Sequence, residues 1–95
     1  MEFTKEGLEL VNTPKFALTL DDYLSPRREQ GLSDFDLARL LPGIVAWAAT
    51  GHAISKPPAD KQAYELTAFV LNHLKEIEVL CDTVSKNSLD LLKRR

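Results

Sequence analysis

The clearest pattern of apolar and polar positions lies in the last third of the chain. After Pro58, which is well placed to begin a helix, no further Gly or Pro occurs, and apolar residues recur at helical spacing. One heptad position is apolar throughout, and its members are Ala63, Val70, Ile77, Val84 and Leu91. The partner position holds Leu66, His73, Leu80 and Asn87. The pattern predicts a long amphipathic helix over residues 58–93.

A helix of this length is too long to be buried entirely by the rest of its own chain. At the usual rise it would be about 54 Å long, whereas a compact chain of this size is only about 32 Å across. Either the second half projects and packs against another chain, or the helix breaks within residues 83–88, where Ser88 can cap a last turn. Both alternatives stay open from the sequence.

The continuous helix predicts self-association, because it would expose an apolar strip that soluble monomers rarely carry. The strip predicts a homodimer, parallel or antiparallel, with an interface of Val70, His73, Ile77, Leu80, Val84 and Leu91. The polar His73 and Asn87 in this strip allow two interpretations. They either set the register of an interface or lie at the edge of an ordinary packing face.

The middle of the chain predicts a buried helix over residues 34–50. Ser33 followed by Asp34 and Asp36 is a typical N-terminal capping sequence, and the residues from Leu40 on are apolar all round. Pro42 has no amide hydrogen for the helix ladder, and its ring clashes with the preceding turn. It predicts a kink that divides the central helix into two packed segments, 34–41 and 42–50.

The N-terminal region, residues 1–31, is the hardest to interpret. Apolar residues alternate with period two on both sides of Asn12–Lys15, which allows a short β-hairpin; the alternating residues are Leu8, Leu10, Phe16, Leu18 and Leu20. A short helix opening at Thr4 is the alternative. Residues 21–24 predict one helical turn that ends before Pro26, and residues 26–31 predict a charged loop.

Length and charge limit the class of protein. A chain of 95 residues predicts a single domain with an irregular or hairpin segment (1–31), central buried helices (32–51) and the long helix (58–93). The 44% of hydrophobic residues is typical of a folded protein. The formal net charge of −2 argues against a general nucleic-acid binder. The longest uncharged run, residues 40–55, is too short and too interrupted to span a membrane.

The first residues and the single cysteine indicate the compartment. Residues 1–6 lack the basic and apolar regions of a signal peptide, and Cys81 has no partner for an internal disulfide. An unpaired thiol suits a reducing environment. The sequence therefore predicts a cytoplasmic protein.

Candidate catalytic residues are few. His73 and Cys81 would lie about 12 Å apart along one helix, too far to share a hydrogen bond, and His52 has no ligand-spaced neighbour for zinc. The four glycines are scattered and form no phosphate-binding loop. We therefore expect no catalytic site, cofactor or metal.

These patterns predict a mainly α, non-enzymatic protein–protein interaction module, of the kind that small regulators and inhibitors represent. It would self-associate through the C-terminal helix and bind another protein. A candidate patch for that different partner is Asp21, Asp22, Arg27 and Arg28. The alternative is a dimeric DNA-binding regulator that uses the basic residues 93–95, although residues 44–49 offer no side chain that reads base edges.

Overall fold

The computed structural model describes residues 2–52 and 56–93, with the backbone alone for residues 91–93. The regular elements of these residues are all helices, which confirms the mainly α fold class. In chain order they are α1 (Lys5–Val11), α2 (Pro14–Glu29), α3 (Asp34–Ala49), α4 (Asp60–Glu65), α5 (Thr67–Asn72) and α6 (Leu74–Lys93).

The predicted N-terminal hairpin is wrong, because α1 and α2 occupy this region. The Thr4 side chain accepts a hydrogen bond from the Gly7 amide at 2.9 Å, and the Thr13 side chain accepts one from the Phe16 amide at 3.3 Å. Pro14 follows at the first helical position. Two capping threonines therefore outweigh the period-two alternation.

The single helical turn at residues 21–24 and the charged loop at 26–31 are also wrong in extent. Helix α2 continues through Pro26 to Glu29, and the Gln30 amide still donates to the Pro26 carbonyl at 3.0 Å. Pro26 leaves the Asp22 carbonyl without its helical donor, but Asp22 is exposed and water can reach it. The helix therefore tolerates this proline.

Helix α3 is the central element and packs against each of the other helices. Its predicted start is confirmed: the Asp36 amide donates to Ser33 Oγ at 3.2 Å, and the Ser33 amide donates to Asp36 Oδ2 at 3.4 Å. The division into segments 34–41 and 42–50 is wrong, because Pro42 lies inside one continuous helix. A bend of its axis stays a prediction.

The predicted long helix over 58–93 is divided, but at other places than expected. Leu66 separates α4 from α5, and His73, with φ −127° and ψ 33°, separates α5 from α6. Residues 83–88 lie within α6 and are helical throughout. The two turns let the chain fold around α3, so that the described residues span only 35 × 27 × 23 Å. No breaker residue marks either turn in the sequence.

Two glycines allow close approaches to α3. A Cβ on Gly7 would lie 2.6 Å from the Ala48 carbonyl oxygen, where α1 crosses the end of α3. A Cβ on Gly43 would lie 3.0 Å from the carbonyl carbon of Ala63 and closer still to its oxygen, where α4 crosses α3. Both crossings need the absence of a side chain.

Candidate functional site

The residues predicted to form a dimer interface lie mainly in the interior of one chain. Ile77 and Val84 are 1% and 2% exposed, and Leu80 and Val70 are 7% and 8% exposed. They belong to two core clusters formed with other helices of the same chain, α3 among them. Most of the predicted apolar strip is therefore covered by the chain itself, so the reason given for self-association is wrong. Self-association itself stays a prediction.

The two other predicted interface residues have different surroundings. His73 is half-buried, and its ring centroid lies 5.1 Å from that of Phe3 and 4.5 Å from that of Phe69. It thus joins an aromatic cluster at the turn between α5 and α6. The side chain of Leu91 lies outside the described residues.

The second predicted patch is divided among different neighbours. Asp21 and Asp22 are exposed, whereas Arg27 forms an ion pair with Asp60 at 2.7 Å. Arg28 approaches the exposed Asp34 carboxylate at 3.5 Å. Both arginines therefore face carboxylates of the same chain, which leaves less free positive charge than the sequence suggested.

Arg27 belongs to a cluster that we call the clasp, formed by Tyr23, Arg27 and Asp60. The Tyr23 hydroxyl donates to the Pro58 carbonyl at 2.8 Å and lies 3.0 Å from Asp60 Oδ1. The Arg27 guanidinium lies 3.6 Å from the centroid of the Tyr23 ring. The clasp ties α2 to the start of α4.

The clasp changes the pKa of two of its members. Burial and the hydrogen bond with Asp60 raise the pKa of Tyr23 to about 12. The hydrogen bond from Arg27 lowers the pKa of Asp60. The arrangement therefore favours a neutral phenol beside an ionised carboxylate.

We expect the stabilisation by Tyr23 to be lost at alkaline pH. Its folded pKa lies above the unfolded value near 10, so this contribution is complete below about pH 10 and disappears as the pH rises towards 12. The Tyr64→Phe variant leaves Tyr23 as the remaining tyrosine of the two, so its phenolate absorbance can be titrated directly. A midpoint near 10 in the folded variant would contradict the clasp geometry.

One concave surface lies between α6, the outer side of α3 and the adjacent side of α2. It consists of two clefts of about 270 and 350 Å³ that meet at Leu41. We call it the α3–α6 groove. Its α6 side is formed by Leu74, Ile77, Glu78, Cys81, Asp82, Val84, Ser85, Ser88 and Leu89. Its other side is formed by Ala17, Leu20, Asp21, Leu24, Ala38, Leu41, Pro42 and Val70. A separate cleft of about 430 Å³, whose lining includes Arg28 and Asp34, adjoins the groove at Leu24, Ala38 and Leu41.

The groove follows α6 for most of its length. Leu74, Glu78, Asp82 and Ser85 are spaced so that they fall on one edge of the helix, and Leu89 continues that edge. From Leu74 to Leu89 the rise is about 22 Å. Leu74 and Leu89 are 45% and 57% exposed at its two ends. The groove is therefore long enough for about four turns of another helix.

Within the part of the chain whose side chains are described, the charged residues that line the groove are all acidic: Asp21, Glu78 and Asp82. Burial, and then the nearby carboxylates of Asp82 and Glu78, raise the pKa of the Cys81 thiol in this groove to about 11. The thiol is consequently protonated at neutral pH and is a poor nucleophile.

A smaller cleft of about 330 Å³ lies beside the groove, between α3 and α4. Arg39 on its border lies 5.9 Å from the ring centroid of Phe35 and 5.5 Å from that of Tyr64. Phe35 is 71% exposed. The outer side of α3 thus carries exposed apolar and aromatic groups beyond the groove itself.

The candidate chemical residues are held by separate neighbours. His52 stacks on Trp47 at 4.0 Å between ring centroids, and its Nδ1 lies 3.1 Å from Thr50 Oγ1. The buried indole nitrogen of Trp47 has no hydrogen-bond acceptor among the residues described. Over residues 2–52 and 56–93 we find no group of three or more His, Cys, Asp and Glu residues that would suit a metal ion.

Sequence reasoning found parts of the groove without recognising it. Of the groove residues, Asp21 was predicted in the partner patch, and Val70, Ile77 and Val84 were predicted in the dimer interface. The groove also needs α2 and α3 beside α6, and that arrangement has no local signal in the sequence.

None of the helices in the described part of the chain has the length and apolar character needed to cross a membrane. In comparisons with known proteins, no family model matches the chain, and no curated protein or solved structure is significantly similar to it. We therefore infer function from the geometry of the groove and its surroundings.

Proposed function

We propose that this chain is a non-enzymatic module that binds another protein through the α3–α6 groove. The observation that carries the proposal is a concave apolar surface about 22 Å long with exposed leucines at both ends. Such grooves typically receive an apolar helix face of a partner. A role as a small regulator or inhibitor is consistent with this kind of binding.

The energetic argument is the cost of leaving the groove uncovered. Leu74 and Leu89 expose about half of their side chains, and Leu41 and Leu24 are only half-buried between them. Burial of apolar surface contributes about 25 cal/mol per Å² before the costs of association. A partner that covers both leucines therefore gains binding energy without disturbing the core.

Two further parts of the proposal have less support. A homodimer would have to use exposed residues such as Leu89 in place of the buried strip. A cytoplasmic location rests on the unpaired, partly buried thiol of Cys81. For DNA binding we find no specific support, since Arg27 and Arg28 face carboxylates and the side chains of residues 93–95 lie outside the described part.

The proposal can be tested with a photo-crosslinking amino acid introduced at Leu74. Leu74 lines the groove, whereas Val79 on the same helix is 64% exposed and does not, so Val79 is the matched control. In a lysate of cells that naturally produce the chain, we expect one defined protein adduct from position 74 and little from position 79. Equal labelling from both positions, or no adduct at position 74, would show that the groove is not the binding site.

A further inference from the structure

The charge of the groove indicates what kind of segment fits it. Among the side chains that the structure describes, its charged lining residues are Asp21, Glu78 and Asp82, and no described Lys or Arg lines either of its two clefts. Glu78 and Asp82 are one helical turn apart on the α6 side, and Asp21 lies on the opposite side, on α2. A ligand that fills the groove therefore meets negative charge on the α6 side in one cleft and on the α2 side in the other.

The walls of the groove also select the backbone conformation of its occupant. They are helices, whose amides and carbonyls are already paired along their own axes. An extended peptide would gain no main-chain hydrogen bonds there, unlike a peptide that adds to a sheet edge. A helix brings its own backbone pairing and presents an apolar stripe over about four turns, the length of the groove.

We propose that the occupant of the α3–α6 groove is an amphipathic helix of a partner protein whose apolar stripe is flanked by Lys or Arg. The apolar stripe covers Leu41 and the exposed leucines at the two ends. The flanking cations lie opposite the three carboxylates. This inference rests on the proposed function and adds the chemistry of the partner to it.

A second copy of this chain fits the groove less well. A two-fold symmetric dimer places the same surface on both sides of the interface. The charged residues described on both sides would then all be acidic, and juxtaposed like charges oppose association. The acidic lining therefore favours a different, basic partner.

The probes are two pools of designed helical peptides. Both pools vary the apolar stripe among Leu, Ile, Val, Phe and Met, and they differ only in carrying Lys and Arg or Asp and Glu beside it. Each exposed charge pair changes affinity by roughly twofold to fivefold, so we expect the best basic peptides to bind about tenfold or more tightly than the best acidic ones. Salt should reduce this difference.

Two matched variants locate the binding. Ser85 lines the groove and Lys86 does not, and both are exposed on α6. Ser85→Trp should fill the groove and abolish peptide binding, whereas Lys86→Trp should leave it unchanged. The double variant Glu78→Lys with Asp82→Lys should reverse the preference, so that acidic peptides bind more tightly than basic ones.

The outcomes separate this inference from the proposed function. If peptides of both pools bind equally well and Ser85→Trp abolishes their binding, the inference of a basic partner is wrong. The groove would still be a binding site. If basic peptides still bind the Ser85→Trp variant, the inference is wrong, because the peptides would then bind outside the groove. If neither pool binds, the inference of a helical occupant is also wrong. Photo-crosslinking at Leu74 then shows independently whether a protein binds in the groove.

Discussion

The Ile77→Asp variant is expected to unfold the chain and not to separate two folded copies. Ile77 is 1% exposed in a cluster with Ala46 and Val70. The substitution removes a buried aliphatic side chain, at a cost of about 2–5 kcal/mol, and adds a carboxylate without a cationic partner. The total is comparable with the whole stability of a small domain, about 5–15 kcal/mol at most.

The measurement is urea unfolding followed by circular dichroism, combined with the solution mass by light scattering. Val79→Asp is the control, because Val79 lies on the same helix and is 64% exposed. We expect the control to keep near-native stability. If the native chain is a dimer and Ile77→Asp is a folded monomer, Ile77 lies in an interface between two copies. That result would contradict the burial described above.

The second large effect is expected from Gly43→Ala. In an exposed helix this change stabilises by up to about 1 kcal/mol, because alanine has the higher helix propensity. Here the added Cβ would meet the backbone of Ala63, which cannot rotate away as a side chain can. We expect a loss of about 1–3 kcal/mol or more, since α4 must move away from α3.

The direction of the stability change in Gly43→Ala tests whether α3 and α4 are in close contact. Chemical unfolding of Gly43→Ala should show a lower midpoint than the native chain. Ser85→Ala, at an exposed position of α6, should show an unchanged or slightly higher one. A stabilised Gly43→Ala variant would mean that α3 and α4 are not in close contact at this point.

The elements that were predicted correctly have strong local signals. Ser33 with Asp34 and Asp36 defines the start of α3 through side-chain hydrogen bonds within a single turn. The N-terminal region has equally local caps at Thr4 and Thr13, but the alternation of its apolar residues suggested strands. In the structure the side chains of Phe16, Ala17 and Leu20 are buried at helical spacing, so the capping signals and not the alternation describe this region correctly.

The C-terminal region shows the limit of periodicity. The heptad pattern correctly placed Ile77 and Val84 on one face, but it does not state which surface covers that face. The turns at Leu66 and His73 contain no Gly or Pro, so they depend on contacts across the fold. Those contacts include the approach of Ala63 to Gly43 and the packing of His73 against Phe3.

The candidate site was the least predictable part for the same reason. Its residues come from three helices, and in the sequence each of them is an ordinary member of a stripe or a surface charge. Only the docking of α2 and α3 beside α6 turns Asp21, Glu78 and Asp82 into the lining of one groove.

The clasp bears on the order in which the chain assembles. Its hydrogen bonds join residues 33 to 37 positions apart, and such non-local contacts cost more loop-closure entropy than contacts within a helix. We expect Tyr23 and Arg27 to meet Asp60 late in folding, because the intervening chain, with α3, must fold before α4 returns to α2. Interactions formed after the rate-limiting step slow unfolding and leave the folding rate almost unchanged. We therefore expect removal of the clasp to speed unfolding more than it slows folding.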